Sequence, residues 1–433
     1  MLKGMECVDV GKSMKLNSCL TCVGLTAVMG ATGAHPVQAQ VALPDSVTTV
    51  FVTDTIGDFG AVGGVVVDGL GYVYIADFRN AVWRLTPDGV LTKFADGLYG
   101  ASGNAIGPRG YLYQSSFNGN YVSRISRTGD VETWVDDGLS GPVGIAAAPD
   151  GSLFVVNCSG GWVSRVGPDR TVTEFARHAA MACPNGITFD DRGDLYVVSF
   201  NDTRILRIEP DGGVSVFADV PGAGGNGHIA FARGAFFVTK LRGNQLFRVQ
   251  RDGTVTLLAG NGSAGTVDGE ALDAEFSSPN GIGAGPGGND LWVNDLVDGQ
   301  GLGQGVSVVA LRRIHLASLA DALLAIDPSE GADGIRSAYE SYHLSRAGED
   351  TSAGAIALGY QWLSGGRVAD GVSLFELNAA RWPTDPNAQF HFGEAYRYTG
   401  RPSEAADLYR KVLEIDPEHA NAAARLAEVT RGA

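Results

Sequence analysis

The stretch GDLYVVSFNDTRILRIEPDGGVSVF, residues 193–217, contains three short apolar runs separated by polar turns. The turn at Pro210-Asp211-Gly212 is a tight hairpin signal between two of these runs. A fourth run begins just upstream, at Asn185-Gly186-Ile187. The segment therefore predicts a small antiparallel sheet of four strands joined by hairpins.

The same pattern recurs along the chain with a period of about forty residues. Its clearest marker is an aromatic residue in the second strand, and these markers are separated by 39, 41, 42, 41 and 55 residues. The six markers are Tyr74, Tyr113, Phe154, Tyr196, Phe237 and Trp292. A fixed period of this length indicates a repeat architecture. Sheets that cannot bury both faces alone do so when they are placed radially around an axis, so we predict a mainly β fold, a six-bladed β-propeller.

The two ends of the repeat array are complementary. The sixth unit, which follows Ile282, lacks its last strand, and residues 47–52 form such a strand with no unit before it. We expect this N-terminal strand to complete the last blade and close the ring. Closure would remove the two free sheet edges that an open ring exposes.

The C-terminal part follows a helical pattern. From about Leu316 apolar residues recur at helical spacing, with helices expected at 335–344 and 421–429. Four pairs of residues lie 34 apart, which is the tetratricopeptide period. These pairs are Gly359 and Gly393, Gly366 and Gly400, Phe375 and Tyr409, and Pro383 and Pro417. We predict a small α-helical tetratricopeptide-like domain over 316–433, which either packs on the propeller or docks a protein partner.

The N-terminal segment is typical of a signal peptide. Lys12 and Lys15 precede a weakly apolar stretch, residues 16–33, and small residues ending at Ala39 suit a signal peptidase. We predict a signal peptide over 1–39, a propeller over 40–315, and a periplasmic or secreted protein. The stretch is too short and too rich in Gly, Ser and Thr to be an integral membrane span. A lipoprotein signal through Cys19 is the alternative.

Charge and cysteine content restrict the partners. The formal charge of −16 and the pI near 4.8 leave no basic surface, which argues against nucleic acid or anionic membrane as partner. The negative charge does not exclude a cationic ligand, a metal or a neutral small molecule as the partner. Beyond the predicted signal peptide only Cys158 and Cys183 remain, and they are either a disulfide or two buried thiols.

The propeller mouth is the predicted site, because the loops that enter the inner strands and leave the second strands open there. Amide and carboxylate oxygens converging on one axis suit a hard cation or a sugar-like ligand. The candidate ligand-binding residues are Asn185, Asn226, Asn280, Asp77, Asn157, Ser102 and Lys240. Alternatively, the Asn-Gly pairs only form turns, and Lys240 is a solvated rim residue. His228 is either a structural histidine or a catalytic base, and Asp295 is the second catalytic candidate.

The segment Pro279-Asn280-Gly281-Ile282 and the loop before it resemble the NHL-repeat family. The Pro184-Asn185-Gly186 turn and the blade pattern also resemble the gluconolactonase and senescence-marker family of calcium-dependent lactone hydrolases. This resemblance implies a Ca²⁺ ion held by Asn185 and by Asn226, at a position where that family has Asp. A substitute carboxylate would come from Asp295, from Asp77 or from the acidic loop at 259–275, and we take Asp295 as the third candidate ligand. The Glu position of that family falls near Gly63. A fold-level resemblance to virginiamycin B lyase implies only His228 as a catalytic residue.

Two functions follow from these observations. The first is an exported protein that binds a small polar molecule or a peptide at the mouth and contacts a protein through its helical tail. The second is a metal-assisted lactone hydrolase or lyase that acts at the same mouth. An open pocket on this fold supports either, and a pure scaffold would need the mouth to be filled by side chains.

Overall fold

A computed structural model describes residues 45–53, 59–297, 307–346 and 348–431. The predicted signal peptide, its cleavage site and Cys19 lie outside these residues. Within them, six antiparallel sheets follow one another along the chain. The predicted six-bladed propeller with a helical tail is confirmed.

Blades one to five each consist of four consecutive strands. Blade one contains β2 (Val65–Val67), β3 (Val73–Asp77), β4 (Ala81–Leu85) and β5 (Leu91–Ala95). Blade two contains β6 (Ala101–Ile106), β7 (Leu112–Ser116), β8 (Tyr121–Ile125) and β9 (Val131–Val135). Blade three contains β10 (Pro142–Ala147), β11 (Leu153–Asn157), β12 (Trp162–Val166) and β13 (Val172–Arg177). Blade four contains β14 (Pro184–Phe189), β15 (Leu195–Ser199), β16 (Arg204–Ile208) and β17 (Val214–Asp219). Blade five contains β18 (Ile229–Ala232), β19 (Ala235–Lys240), β20 (Gln245–Val249) and β21 (Val255–Ala259).

Blade six closes the ring as the sequence predicts. Its order is β22 (Gly269–Glu270), β1 (Ser46–Val52), β25 (Val309–His315), β24 (Asp290–Leu296) and β23 (Pro279–Ala284). The N-terminal β1 runs antiparallel to β25, with Val47 opposite Ile314 and Val52 opposite Ala310. The first strands of successive blades contact one another from β2 around to β23 and back to β2. They therefore surround the propeller axis.

The repeated aromatic residues explain why the blades pack. Tyr74, Tyr113, Phe154 and Tyr196 each meet an aromatic ring of the outer strand of their own blade, with ring centroids 4.8 to 5.8 Å apart. Blades one to four thus each carry an aromatic pair in their apolar layer, and such edge-to-face pairs add about 1 kcal/mol each beyond their buried area.

Seven helices follow the propeller in the described part of the chain. They are α1 (Leu319–Leu324), α2 (Gly331–Ser345), α3 (Ser352–Ser364), α4 (Val368–Arg381), α5 (Pro386–Tyr398), α6 (Pro402–Ile415) and α7 (Ala420–Arg431). The 34-residue period has a steric cause: a Cβ on Gly359 would lie 2.7 Å from the Phe375 ring, and one on Gly393 would lie 2.8 Å from the Tyr409 ring. No helix in the described ranges is long and apolar enough to span a membrane.

A buried ionic network joins the tail to blade five. Glu349 accepts hydrogen bonds from Arg233, from Arg248 at 3.1 Å and from the Tyr342 hydroxyl at 2.8 Å. Arg346 pairs with Asp45, next to β1, at 2.6 Å. The tail is therefore attached to the propeller through charges that are largely removed from water.

Candidate functional site

A ring of glycines surrounds the propeller axis at the start of the inner strands. The strand register places the same position of the six blades at Gly64, Gly103, Gly144, Gly186, His228 and Gly281. A Cβ on Gly144 would lie 2.6 Å from the Asn185 carbonyl oxygen, and one on Gly281 would lie 2.3 Å from the Gly63 carbonyl oxygen. The inner strands approach so closely that five blades have no room for a side chain here.

His228 is the exception in this ring. His228 is 8% exposed and lines the cavity at the mouth. Burial lowers the pKa of its imidazole from 6.5 to about 4, so the ring is neutral at pH 7. Its backbone N–H donates to Thr239 Oγ1 at 2.8 Å, but its ring nitrogens have no hydrogen-bond partner among the described residues.

Asn185, Asn280 and Ser102 also line this cavity, as expected for residues at the inner rim. The Asn185 amide nitrogen donates to the Gly227 carbonyl oxygen at 2.8 Å, and that of Asn280 donates to the Gly63 carbonyl oxygen at 3.3 Å. Each amide thus bonds to the inner strand of the next blade. Each of these two side chains therefore makes a structural hydrogen bond and also faces the cavity.

Asn226 lies one residue away from the position expected for it. Ile229 pairs with Val238 as Ile187 pairs with Val197, which places Gly227 level with Asn185. Apolar alternation fixes this register, because a slip by one residue would expose the buried face of the strand. Asn226 is fully buried and bonds to the Thr203 carbonyl oxygen instead.

The polar candidates at the ends of the second strands, here called the outer polar ring, are buried rather than open. Asp77, Asn157, Lys240 and Asp295 are all 0% exposed and do not line the cavity. Each fixes the backbone of the loop before the inner strand: Asn157 accepts from Ser140 N–H at 2.8 Å, and Lys240 donates to the Val220 carbonyl oxygen at 3.1 Å. The interpretation of Lys240 as a solvated rim residue is therefore wrong, since its ammonium has backbone and Asn226 oxygens in place of water.

The two carboxylates of this ring have cationic neighbours. Asp77 pairs with Arg79 at 3.2 Å, and burial raises the pKa of its carboxyl. Asp295 accepts from Ser277 N–H and lies 3.5 Å from Arg312, and burial raises the pKa of its carboxyl to about 7. The structure does not bring Asp295 to the cavity beside His228.

The three predicted calcium ligands do not come together either. Asn185 lines the cavity, whereas Asn226 holds Lys240 and Asp295 holds Arg312. Across the described residues, no group of three His, Cys, Asp or Glu side chains could hold a metal ion. The residues present do not form the calcium site of the gluconolactonase type.

An apolar ring above the glycines is the feature that the sequence prediction missed. In each blade, the buried polar residue at the end of the second strand is followed by an apolar residue. Five of these six apolar residues line the cavity. The six are Phe78, Phe117, Cys158, Phe200, Leu241 and Leu296. The sequence contains a signal for this ring, because successive side chains of a strand point in opposite directions. The apolar residue therefore points away from the side on which the preceding polar residue holds the loop backbone.

A disulfide completes this wall. Cys158 at the end of β11 is bonded to Cys183 just before β14, which resolves the choice left open by the sequence. Both cysteines line the cavity. The bond joins blade three to blade four directly at the mouth.

The cavity enclosed by these groups is about 170 Å³. Its wall is mainly apolar, with Ser307 as a polar member, its floor holds Ser102, Asn185, His228 and Asn280, and no charged side chain of the described residues lines it. The part of the mouth that the described residues form is therefore much less polar than expected. The acidic loop between blades five and six, residues 259–275, is attached to blade six: Asp268 accepts from the Thr49 hydroxyl on β1 and from Arg312, at 2.9 Å each.

Comparisons with known proteins agree with this architecture. The model of the virginiamycin B lyase family matches residues 68–228, and that of a tetratricopeptide repeat matches residues 379–429. The chain is a propeller with tetratricopeptide repeats. No curated protein matches it in sequence.

Solved structures show the same propeller. An auxiliary nutrient binding protein from Bacteroides ovatus is 16% identical, with 63% of this chain and 76% of that chain covered and a TM-score of 0.52. A catalytically inactive virginiamycin B lyase from Staphylococcus aureus with quinupristin is 19% identical, with coverage of 58% and 80% and a TM-score of 0.43. A gluconolactonase from Xanthomonas campestris is 16% identical, with coverage of 65% and 93% and a TM-score of 0.48. These likenesses concern the fold alone, and the predicted resemblance to virginiamycin B lyase is supported by the family model that matches residues 68–228.

Proposed function

We propose that the propeller mouth binds a small uncharged molecule with an apolar body about the size of one ring. The observation that carries this proposal is the cavity of about 170 Å³ walled by Phe78, Phe117, Phe200 and the disulfide. An apolar cavity of about 150 Å³ in another protein is large enough for benzene. Polar side chains are a minority of the described lining, so only a small part of the ligand would be polar.

This proposal restricts the class of ligand, which the sequence left as a small polar molecule or a peptide. A polyhydroxylated sugar lactone would place several hydroxyl groups against phenylalanine rings. Each buried hydroxyl without a partner costs about 1–3 kcal/mol, so a sugar-like ligand is disfavoured. An aryl ester or an aryl alcohol would bury its ring against the wall and keep its polar group near the floor.

Calorimetric titration with benzyl acetate and with glucono-lactone tests the proposal. We expect binding of benzyl acetate and none of the sugar lactone at the same millimolar concentration. Replacing Phe200 by Ala removes wall surface and should weaken binding about tenfold, as burial of one aromatic side chain is worth about 1.5–3 kcal/mol. Tyr99→Ala is the matched control, because Tyr99 is 62% exposed and lies outside the cavity. Binding of the sugar lactone alone would contradict the proposal.

A second candidate is turnover of an ester-containing ligand at the same mouth. It is favoured by the neutral imidazole of His228 at the floor, whose ring nitrogens have no partner among the described residues, and by the match of residues 68–228 to a family of lyases. In this reaction His228 would take a proton from the ligand or from water. His228→Ala should abolish turnover of a bound ester while benzyl acetate still binds.

Calcium binding stays a prediction. Comparing the melting temperature of the protein in Ca²⁺ with that in a chelator tests it.

Export and a protein partner are the remaining parts of the proposal. The disulfide supports export, because such bonds persist in oxidising compartments. Fractionation of cells that express the full chain would show the protein outside the cytoplasm.

The tetratricopeptide match supports a partner for the tail. Crosslinking of the intact protein in its native cells would recover that partner through helices α3 to α7.

A further inference from the structure

The floor of the cavity has hydrogen-bonding atoms that no protein group uses. The Asn185 and Asn280 amide nitrogens face carbonyl oxygens, Gly227 and Gly63, and a carbonyl oxygen can only accept. This fixes the orientation of both carboxamides. Their side-chain oxygens have no partner among the described residues and are left to accept from a ligand.

His228 supplies the third group of the floor. It is more than nine-tenths buried, lines the cavity and has no ring partner in the described part of the chain. A neutral imidazole has one N–H that donates and one nitrogen that accepts. Because its ring nitrogens are accessible from the cavity, a ligand that fills the cavity has to form hydrogen bonds with them or leave a buried polar group without a partner.

The three floor residues together define the chemistry of the ligand. The amide oxygens need a donor, and the imidazole N–H needs an acceptor. A hydroxyl group is both, whereas an ammonium only donates and a carbonyl only accepts. A charged group is disfavoured as well, because no charged side chain of the described residues lines the cavity to neutralise it.

We propose that the floor of the mouth selects a ligand with a hydroxyl group on its apolar ring, and that His228 determines this selectivity. This inference rests on the proposed binding function and names the class of ligand, an aryl alcohol or phenol. The other five blades have glycine at the position of His228, and these glycines have no room for a side chain. The imidazole is therefore present on one side of the axis only, between the Asn185 and Asn280 blades, and gives the ligand one preferred orientation.

Two probes of nearly equal size test the inference by fluorine NMR titration of the full chain. They are para-fluorophenol and para-difluorobenzene, which differ only in a hydroxyl against a fluorine. We expect the phenol to bind about tenfold more tightly, the effect of one or two neutral hydrogen bonds. Equal affinities would overturn the selectivity and leave the binding proposal standing. Failure of both probes to bind would overturn the binding proposal and this inference with it.

Variants assign the selectivity to His228. His228→Phe keeps an aromatic ring and removes both nitrogens, so it should still bind para-difluorobenzene while the preference for the phenol falls to less than about threefold. If the larger ring blocks the cavity, His228→Ala gives the same comparison with more space. His178→Phe is the control, since His178 lies on the same propeller outside the cavity lining. A preference that persists in both His228 variants would contradict the assignment.

Discussion

Five glycines around the axis are fixed by the backbone of the neighbouring blade. The carbonyl oxygen or α-carbon of the next inner strand occupies the place where a side chain would begin. The glycines of a repeat protein are easily taken for turn residues, and only the strand register shows that these five form one layer. His228 fits because its side chain turns into the cavity.

Gly144→Ala tests this steric account. Its Cβ would lie 2.6 Å from the Asn185 carbonyl oxygen, so we expect a loss of about 2–3 kcal/mol in the free energy of unfolding, as in other overpacked cores. Gly69→Ala is the matched control, because a Cβ there has nothing within 4 Å. Urea denaturation measures both. Equal effects of the two substitutions would contradict the close approach of the inner strands.

The buried imidazole of His228 makes stability depend on pH. Between its ordinary pKa of 6.5 and the folded value of about 4, the unfolded chain binds a proton that the folded chain does not. Stability is therefore lost as pH falls through this window, by up to about 3 kcal/mol for this group. Urea denaturation at pH 7 and at a pH near 4 should show a smaller loss for His228→Phe than for the unchanged protein. The same loss in both would show that His228 is not responsible.

At the scale of elements, the strands and helices could be predicted from local signals. Hairpin residues, alternating apolar residues and the 34-residue period are all set by neighbours in the chain. The site was harder, because it depends on which way a side chain points at the end of a strand. Asp77 and Asp295 were candidates for the mouth but hold loop backbones, whereas the adjacent Phe78 and Leu296, which no motif singled out, line the mouth.

The disulfide between β11 and β14 links two neighbouring blades. Its cysteines are 25 residues apart, and closing a loop of this length restricts the unfolded chain by about 3 kcal/mol. Replacing both Cys158 and Cys183 by Ser should lower the melting temperature and weaken binding of benzyl acetate, since the wall of the mouth is then no longer covalently held. Reduction of the unchanged protein should have the same effect. Unchanged binding in both cases would mean that the bond is not part of the site.

At the scale of the whole molecule, the tail and the propeller are coupled by buried charge. Glu349 is 3% exposed and lies between Arg233 and Arg248. Sequence patterns gave no sign of this network, because its members lie on separate elements about a hundred residues apart. Removing one partner of a buried ionic group leaves the others uncompensated.

Glu349→Gln should therefore destabilise the protein by about 3–5 kcal/mol, and the loss should appear in the propeller as well as in the tail. Glu340→Gln is the control: Glu340 pairs with Arg336 at 4.0 Å on the exposed face of α2, and such pairs contribute less than about 1 kcal/mol. Thermal unfolding followed by circular dichroism distinguishes the two variants. A small effect of Glu349→Gln would mean that the tail is held mainly by apolar contacts.

The most direct test of the account is a crystal structure of the full chain soaked with para-bromophenol, with the bromine located by anomalous scattering. We predict a bromine peak inside the mouth, in contact with the ring of Phe117 or Phe200, and the phenol oxygen within hydrogen-bond distance of His228 or one of the two floor asparagines. An empty mouth beside bromine peaks elsewhere on the protein would contradict the claim that this cavity is the binding site.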